Sequence, residues 1–239
     1  MIITPIRTGI FKEKQDLLSF IKRHIPALKN GAVLVVSSKL ICLWKGTGVA
    51  YQSKRQKEKI IRCESDAALK TKLAWLTLKA GMLMTNAGID ESNAQGKLLL
   101  LPPDLYACAA ELRAALCRTY GIKKLGLIIT DSMILPLRAG VIGAAVAYAG
   151  FAGVRDERGK KDIFGKPLET TLVNLADALA AAASVTMGER KERRPLCVIE
   201  GAPVQFAAKT DPAEIHYPPE QDLYAPLLQA VGLTNRRRK

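Results

Sequence analysis

Two periodicities run through the chain. Gly31 to Trp44, GAVLVVSSKLICLW, is a near-continuous apolar run rich in Val, Leu and Ile, which predicts a strand buried on both faces. Ahead of it, Asp16 is placed to cap a helix through LLSFIKRHI that breaks at Pro26. LAWLTLKAGMLMT reads as a hairpin turning at Ala80-Gly81. Asp104, after Pro102-Pro103, is a suitable N-cap for LYACAAELRAALCRTY, whose apolar spacing is helical and which stops before Gly121. KLGLIITDS predicts a short buried strand ending in Asp131. LETTLVNLADALAAAASVTMG predicts an Ala-rich helix closed by Gly188, and PLCVIEG another buried strand. Gly48 to Ser65 is polar and basic and reads as loop with one helical turn at most, while Pro212, Pro218, Pro219 and Pro226 break any long element after Thr210. Single strands between helices, without repeat or linker, predict an α/β or α+β domain.

Composition narrows the class. With 239 residues and 49% hydrophobic side chains the chain can bury a substantial core as one globular domain, residues 1–239. The five cysteines are scattered and form no C-x-x-C pair, which argues against a disulfide framework or zinc cluster and predicts a reducing, cytoplasmic setting. No signal peptide is evident, and the most apolar run, Ala139 to Val154, is Gly-rich and too short for a membrane span. A net charge of +14 suits nucleic acid, acidic membranes or anionic small molecules. Aromatics, however, are 5% and do not interleave with the basic clusters SKRQKEK, GERKERR and NRRRK, so a nucleic-acid platform is poorly supported. Phosphate-rich small molecules are the more economical partners, and the basic tail 235–239 reads as a solvated, disordered end.

Candidate chemistry sits at strand ends. Asp90 follows MLMTNAGI and Asp131 ends LGLIIT, and rigid strands that end in hard oxygen ligands are a common way to build metal-dependent phosphoryl-transfer sites. Asn93 could donate to a phosphate oxygen, Ser132 adds a hydroxyl, and Glu189 in MGERKERR is followed by cations. Each of these alone is more economically a turn residue, a cap or a surface charge. Only His24 and His216 are present, so histidine-based triads and zinc sites have few candidates. Neither a Walker loop nor a dinucleotide fingerprint occurs.

The order of segments RTGI, GAVLVVSSK, NAGIDESN, LLLLPPD, IITDS, RGKKDIFGKPLETT, ADALAAAASVTMGE and PLCVIEG resembles the coenzyme F-420-0:gamma-glutamyl ligase family. The resemblance implies an α+β fold of mixed sheets with packed helices in an intertwined homodimer. It implies a ligase that uses GTP (or ATP) and two Mg²⁺ or Mn²⁺ ions to join L-glutamate to an acidic acceptor, coenzyme F-420 or a folate-like molecule, through an acyl phosphate. Position by position, Asp90, Asp131, Ser132 and Glu189 match metal ligands. Ile10, Phe11, Ser38, Lys39, Asn93 and Gly188 match nucleotide contacts. Arg138 is the nearest retained cation where a Gly-Arg pair is missing, and joins Asp90 and Asp131 among the catalytic candidates. Leu43 stands where the family has a phosphate-contacting lysine, and Lys45 where it has a glutamate. These departures keep a second reading open: a degenerate, non-catalytic paralogue that binds nucleotide or nucleic acid.

Overall fold

The computed structural model describes residues 1–92, 94 and 96–233. In chain order the strands are β1 (Ile2–Ile6), β2 (Ala32–Ser37), β3 (Gly48–Ala50), β4 (Ala67–Lys70), β5 (Trp75–Lys79), β6 (Met82–Thr85), β7 (Lys97–Leu99), β8 (Leu125–Met133), β9 (Ile142–Ala149), β10 (Val154–Asp156), β11 (Leu172–Asn174) and β12 (Leu196–Glu200). The helices are α1 (Leu17–His24), α2 (Ser38–Lys45), α3 (Lys54–Cys63), α4 (Leu105–Tyr120), α5 (Leu175–Met187) and α6 (Ala225–Ala230). The expected α+β class with mixed sheets and packed helices is what forms.

A five-stranded sheet in the order β1-β12-β2-β8-β9 is the frame. Only β2 and β8 run parallel, so the sheet is mixed. Leu34 and Val36 of β2 face one core with α1, α2 and α4, while Val33 and Val35 face a second core under α5. A central strand covered on both faces must be apolar at every position, which is why this segment shows no alternation. Pro5 lies in β1, at one edge of the sheet.

Three elements differ from the sequence reading, the first being the Ala-rich helix expected from Leu168, which starts only at Leu175 because Leu172–Asn174 pair with β10 as strand β11. The run Gly31 to Trp44 is not one strand, because β2 ends at Ser37 and α2 begins at Ser38, closing on Gly46 in the left-handed conformation. Strand and buried helix are equally apolar where both pack into the same core, so the boundary is hidden. The basic stretch read as loop contains β3 and the ten-residue α3, whose Ser53 side chain accepts from the Gln56 N–H. By contrast Asp16 and Asp104 cap α1 and α4, and Gly121 ends α4 as expected.

The hairpin of β5 and β6 turns through Ala80 and Gly81, both at positive φ, the backbone that matches strand twist. Directly after β6, Asn86 and Ala87 also take positive φ. Thr77, fully buried, holds this turn: its hydroxyl donates to the Met84 carbonyl at 2.7 Å and accepts from the Ala87 N–H at 2.8 Å. Thr77→Val keeps the shape and leaves a buried N–H unpaired, so it is expected to lower unfolding stability by roughly 1–3 kcal/mol. A urea midpoint equal to wild type would show that the turn does not need this bond.

The five cysteines are unpaired thiols, and burial pushes Cys42 up to about 12, which leaves it inert as a nucleophile near neutral pH. Among the described residues no helix is long and apolar enough to cross a membrane. The basic tail 235–239 lies outside the described residues.

Candidate active site

Five separate segments meet around one cavity of about 720 Å³. Asp90 reaches it because the tight turn after β6 feeds into a bridge with Leu99, whose N–H donates to the Asp90 carbonyl at 2.7 Å while the Asp90 N–H donates to the Leu99 carbonyl at 3.1 Å. Asp131 and Ser132 lie near the end of β8, and Glu189 follows Gly188, which caps α5 at φ +80°. Lys39 stands in the first turn of α2.

The carboxylates are held by different partners. Lys39 Nζ lies 2.8 Å from Asp90 Oδ2 and donates to Ser92 Oγ at 2.8 Å, while the Ser92 N–H donates to Asp90 Oδ1 at 2.6 Å. Ser132 Oγ sits 3.0 Å from both Glu189 oxygens, and the Ser132 N–H donates to Asp131 Oδ1 at 2.8 Å. Burial, reinforced by the charge of Asp90, pushes Asp131 up to about 6, against the pull of the Ser132 N–H, Lys39 and the Ser38 hydroxyl.

The sequence candidates divide accordingly. Ile10, Lys39, Asp90, Asp131, Ser132, Gly188 and Glu189 all line the cavity, with Ile10 exposed at its wall. Ser38 is buried behind Lys39, and Ser37 lines the cavity in its place. Phe11 does not line it. Its ring packs edge-on against Phe20 at 4.9 Å in the core, because an aromatic ring gains more from burial than from a polar wall. Arg138 is not a lining residue either, since the hairpin between β8 and β9 carries it out into solvent. Asn93 lies outside the described residues. Leu43, at the position of the family's lysine, packs against the core instead of lining the cavity.

Several lining residues were not singled out from the sequence. Thr8 and Gly9 enter from the segment after β1, and the Thr8 N–H donates to the Arg193 carbonyl at 2.8 Å, tying two walls together. Arg190, Lys191, Arg193 and Arg194 also line the cavity. Their sequence signal was the GERKERR cluster. These four side chains are exposed where they line the cavity, so a solvated basic cluster and a site wall are the same residues here.

Among the described residues no three His, Cys, Asp or Glu side chains stand close enough to hold a metal ion as they are. The expected metal ligands share one cavity, yet Asp90 is taken by Lys39 and Glu189 by Ser132, and like carboxylates repel. The donor chemistry nevertheless fits a hard divalent cation. The oxygens are carboxylate and hydroxyl, and Asp131 is a desolvated carboxylate in no ion pair among the described residues.

The F420-0:gamma-glutamyl ligase family model matches residues 50–201, which include Asp90, Asp131, Ser132 and Glu189. The chain belongs to that family. A coenzyme F420:L-glutamate ligase of Archaeoglobus fulgidus is 34% identical over 233 residues, covering 90% of this chain and 92% of the relative. Proteins of the same description from Methanococcus maripaludis strain C6 and Methanocaldococcus jannaschii are 42% and 37% identical over 146 residues, 61% of this chain. Those two matches span 58% of the relatives' own length. The names of these relatives specify F420, and a folate-type acceptor finds no support in them.

Proposed function

We propose that this chain is an F420:L-glutamate ligase driven by a nucleoside triphosphate, GTP by family resemblance, with ATP the alternative. The observation that carries the reading is one cavity lined both by the carboxylates Asp90, Asp131 and Glu189 and by the cations Lys39, Arg190, Lys191, Arg193 and Arg194. Carboxylates suit a hydrated divalent cation and the cations suit phosphate oxygens. Their coexistence is what a metal–nucleotide complex requires.

In this reading an acceptor carboxylate oxygen forms a bond to the γ-phosphorus as the bond to the β-phosphate bridging oxygen breaks, releasing the nucleoside diphosphate. The glutamate amine nitrogen then bonds to the activated carbonyl carbon, loses a proton, and inorganic phosphate leaves. Lys39 and the basic wall orient the phosphates. Asp90, Asp131, Ser132 and Glu189 would hold one or two Mg²⁺ or Mn²⁺ ions, which neutralise phosphate charge when bound. The cytoplasmic setting, the single domain and the homodimer belong to the same reading. Leu43, packed on the core where the family has a lysine, and the missing Gly-Arg pair, with Arg138 outside the cavity, are what favour a nucleotide binder without turnover.

The test is direct. Purified protein given Mg²⁺ or Mn²⁺, GTP or ATP, glutamate and F420 bearing few glutamates is expected to release nucleoside diphosphate and phosphate in step with amide product. Tight nucleotide binding with no product from F420-type acceptors would transfer the assignment to the non-catalytic paralogue.

A further inference from the structure

Strand β9 carries one residue too many. Ile129 pairs with Ala147 but Thr130 pairs with Ala145, so Val146 is an inserted bulge immediately before the site residues of β8. A bulge leaves a backbone group without its ladder partner and re-aims the side chains beyond it. Here the Ala145 N–H is satisfied from outside the sheet, donating to Asp177 Oδ1 at 2.8 Å. Asp177 lies in the first turn of α5, and its other oxygen accepts from Asn174 Nδ2 at 2.6 Å. Past the bulge, Gly143 faces α5 so closely that an added Cβ would collide with the Ser184 side chain. The opposite end of the helix delivers Gly188 and Glu189, the latter to Ser132.

We propose that Asp177 is a positioning residue which, by clamping the β9 bulge, sets the axial register of α5 and thereby the placement of Glu189 against Ser132. A slip of one residue would move the helix about 1.5 Å along its axis. Misplacement of about an ångström is enough to cost on the order of 10²-fold in an oriented reaction. The inference rests on the ligase reading for its catalytic consequence, but the clamp and its effect on the cavity are measurable without it.

Full-length Asp177→Ala, Asn174→Ala and the exchanged pair Asn174→Asp/Asp177→Asn separate the possibilities. The exchange keeps an oxygen for the Ala145 N–H, a cap for α5 and one amide–carboxylate pair. Mn²⁺ uptake is measured by electron paramagnetic resonance without nucleotide, hydrogen exchange is followed at the Ala145 amide, and kcat and KM for glutamate are determined separately. Asp177→Ala is expected to open the Ala145 amide, weaken Mn²⁺ binding about tenfold, the lower end for groups that orient metal ligands, and lower kcat with KM for glutamate unchanged. Asn174→Ala loses the helix cap and melts earlier, yet keeps Mn²⁺ affinity, and the exchanged pair recovers it. Wild-type Mn²⁺ affinity in Asp177→Ala, or an equal loss in Asn174→Ala, would overturn the proposal. Should Asp177→Ala not fold, Asp177→Asn decides: protection of the Ala145 amide and Mn²⁺ affinity that move together support the clamp, and either one changing without the other refutes it. A wild type that binds Mn²⁺ but ligates nothing would end the ligase reading while the Mn²⁺ comparison still decides this one.

Discussion

Asp131→Asn is expected to lower turnover by on the order of 10³-fold, equivalent to about 4 kcal/mol of lost charge stabilisation, while making the metal-free protein more stable at neutral pH. Both effects have one origin. The folded protein holds the Asp131 proton up to about pH 6, above the ordinary value of 3.8. A raised folded value means that this group favours the fold fully below its unfolded value, and that the contribution is lost as pH rises through about 6. The loss is at most about 3 kcal/mol by linkage, reduced by solvent screening because the side chain is not fully enclosed. Asparagine carries no charge and escapes it. Urea unfolding in chelator across pH 4 to 8 should show the wild type falling below the variant as pH rises (about one proton's worth of slope). Unaltered turnover in Asp131→Asn would remove it from the machinery, and parallel stability curves would deny its burial as a charge.

Lys39→Met is expected to weaken nucleotide binding about tenfold to a hundredfold, the worth of one charge-assisted bond to phosphate. The same change frees Asp90 from its 2.8 Å ion pair, so Mn²⁺ binding in the absence of nucleotide is expected to tighten. Calorimetry with each ligand alone distinguishes the two effects, which have opposite signs. Unchanged affinities for both would mean that the ammonium neither meets phosphate nor competes for Asp90. The cations at Arg190, Lys191, Arg193 and Arg194 line the same cavity and would then be the phosphate partners in its place.

What was legible in the sequence was what local chemistry decides. Asp16, Asp104 and Gly121 announce helix ends because caps satisfy backbone groups within a few residues. The Ala80-Gly81 turn is set by backbone conformation alone. The break between β2 and α2 was hidden, since Ser37 makes no side-chain cap bond and both elements bury apolar side chains. For α3 the signal was present but overlooked: Ser53 and Gln56 have the spacing of a capping box, and Gln56 Oε1 accepts from the Gln52 N–H at 2.8 Å. In the site, acidic residues at strand ends were readable because a strand end projects its next side chain. The positions of Phe11, Arg138 and Leu43 were not, because an alignment fixes order along the chain and not whether a residue faces cavity, solvent or core. The clamp of Asp177 on Ala145 was invisible, since it depends on a strand insertion that changes no local pattern.

The main sheet ends on one side at β1, and Pro5 lies within that strand. A proline nitrogen has no hydrogen, so any further strand laid alongside β1 would meet a missing rung in its ladder. Such an interruption blunts the templating of foreign or like strands on an open border and so works against fibrillar association. At the opposite border the insertion at Val146 makes β9 a bulged edge strand, a poor template for a neighbour. The features that aim side chains into the cavity therefore also keep a highly apolar sheet from growing beyond its own chain.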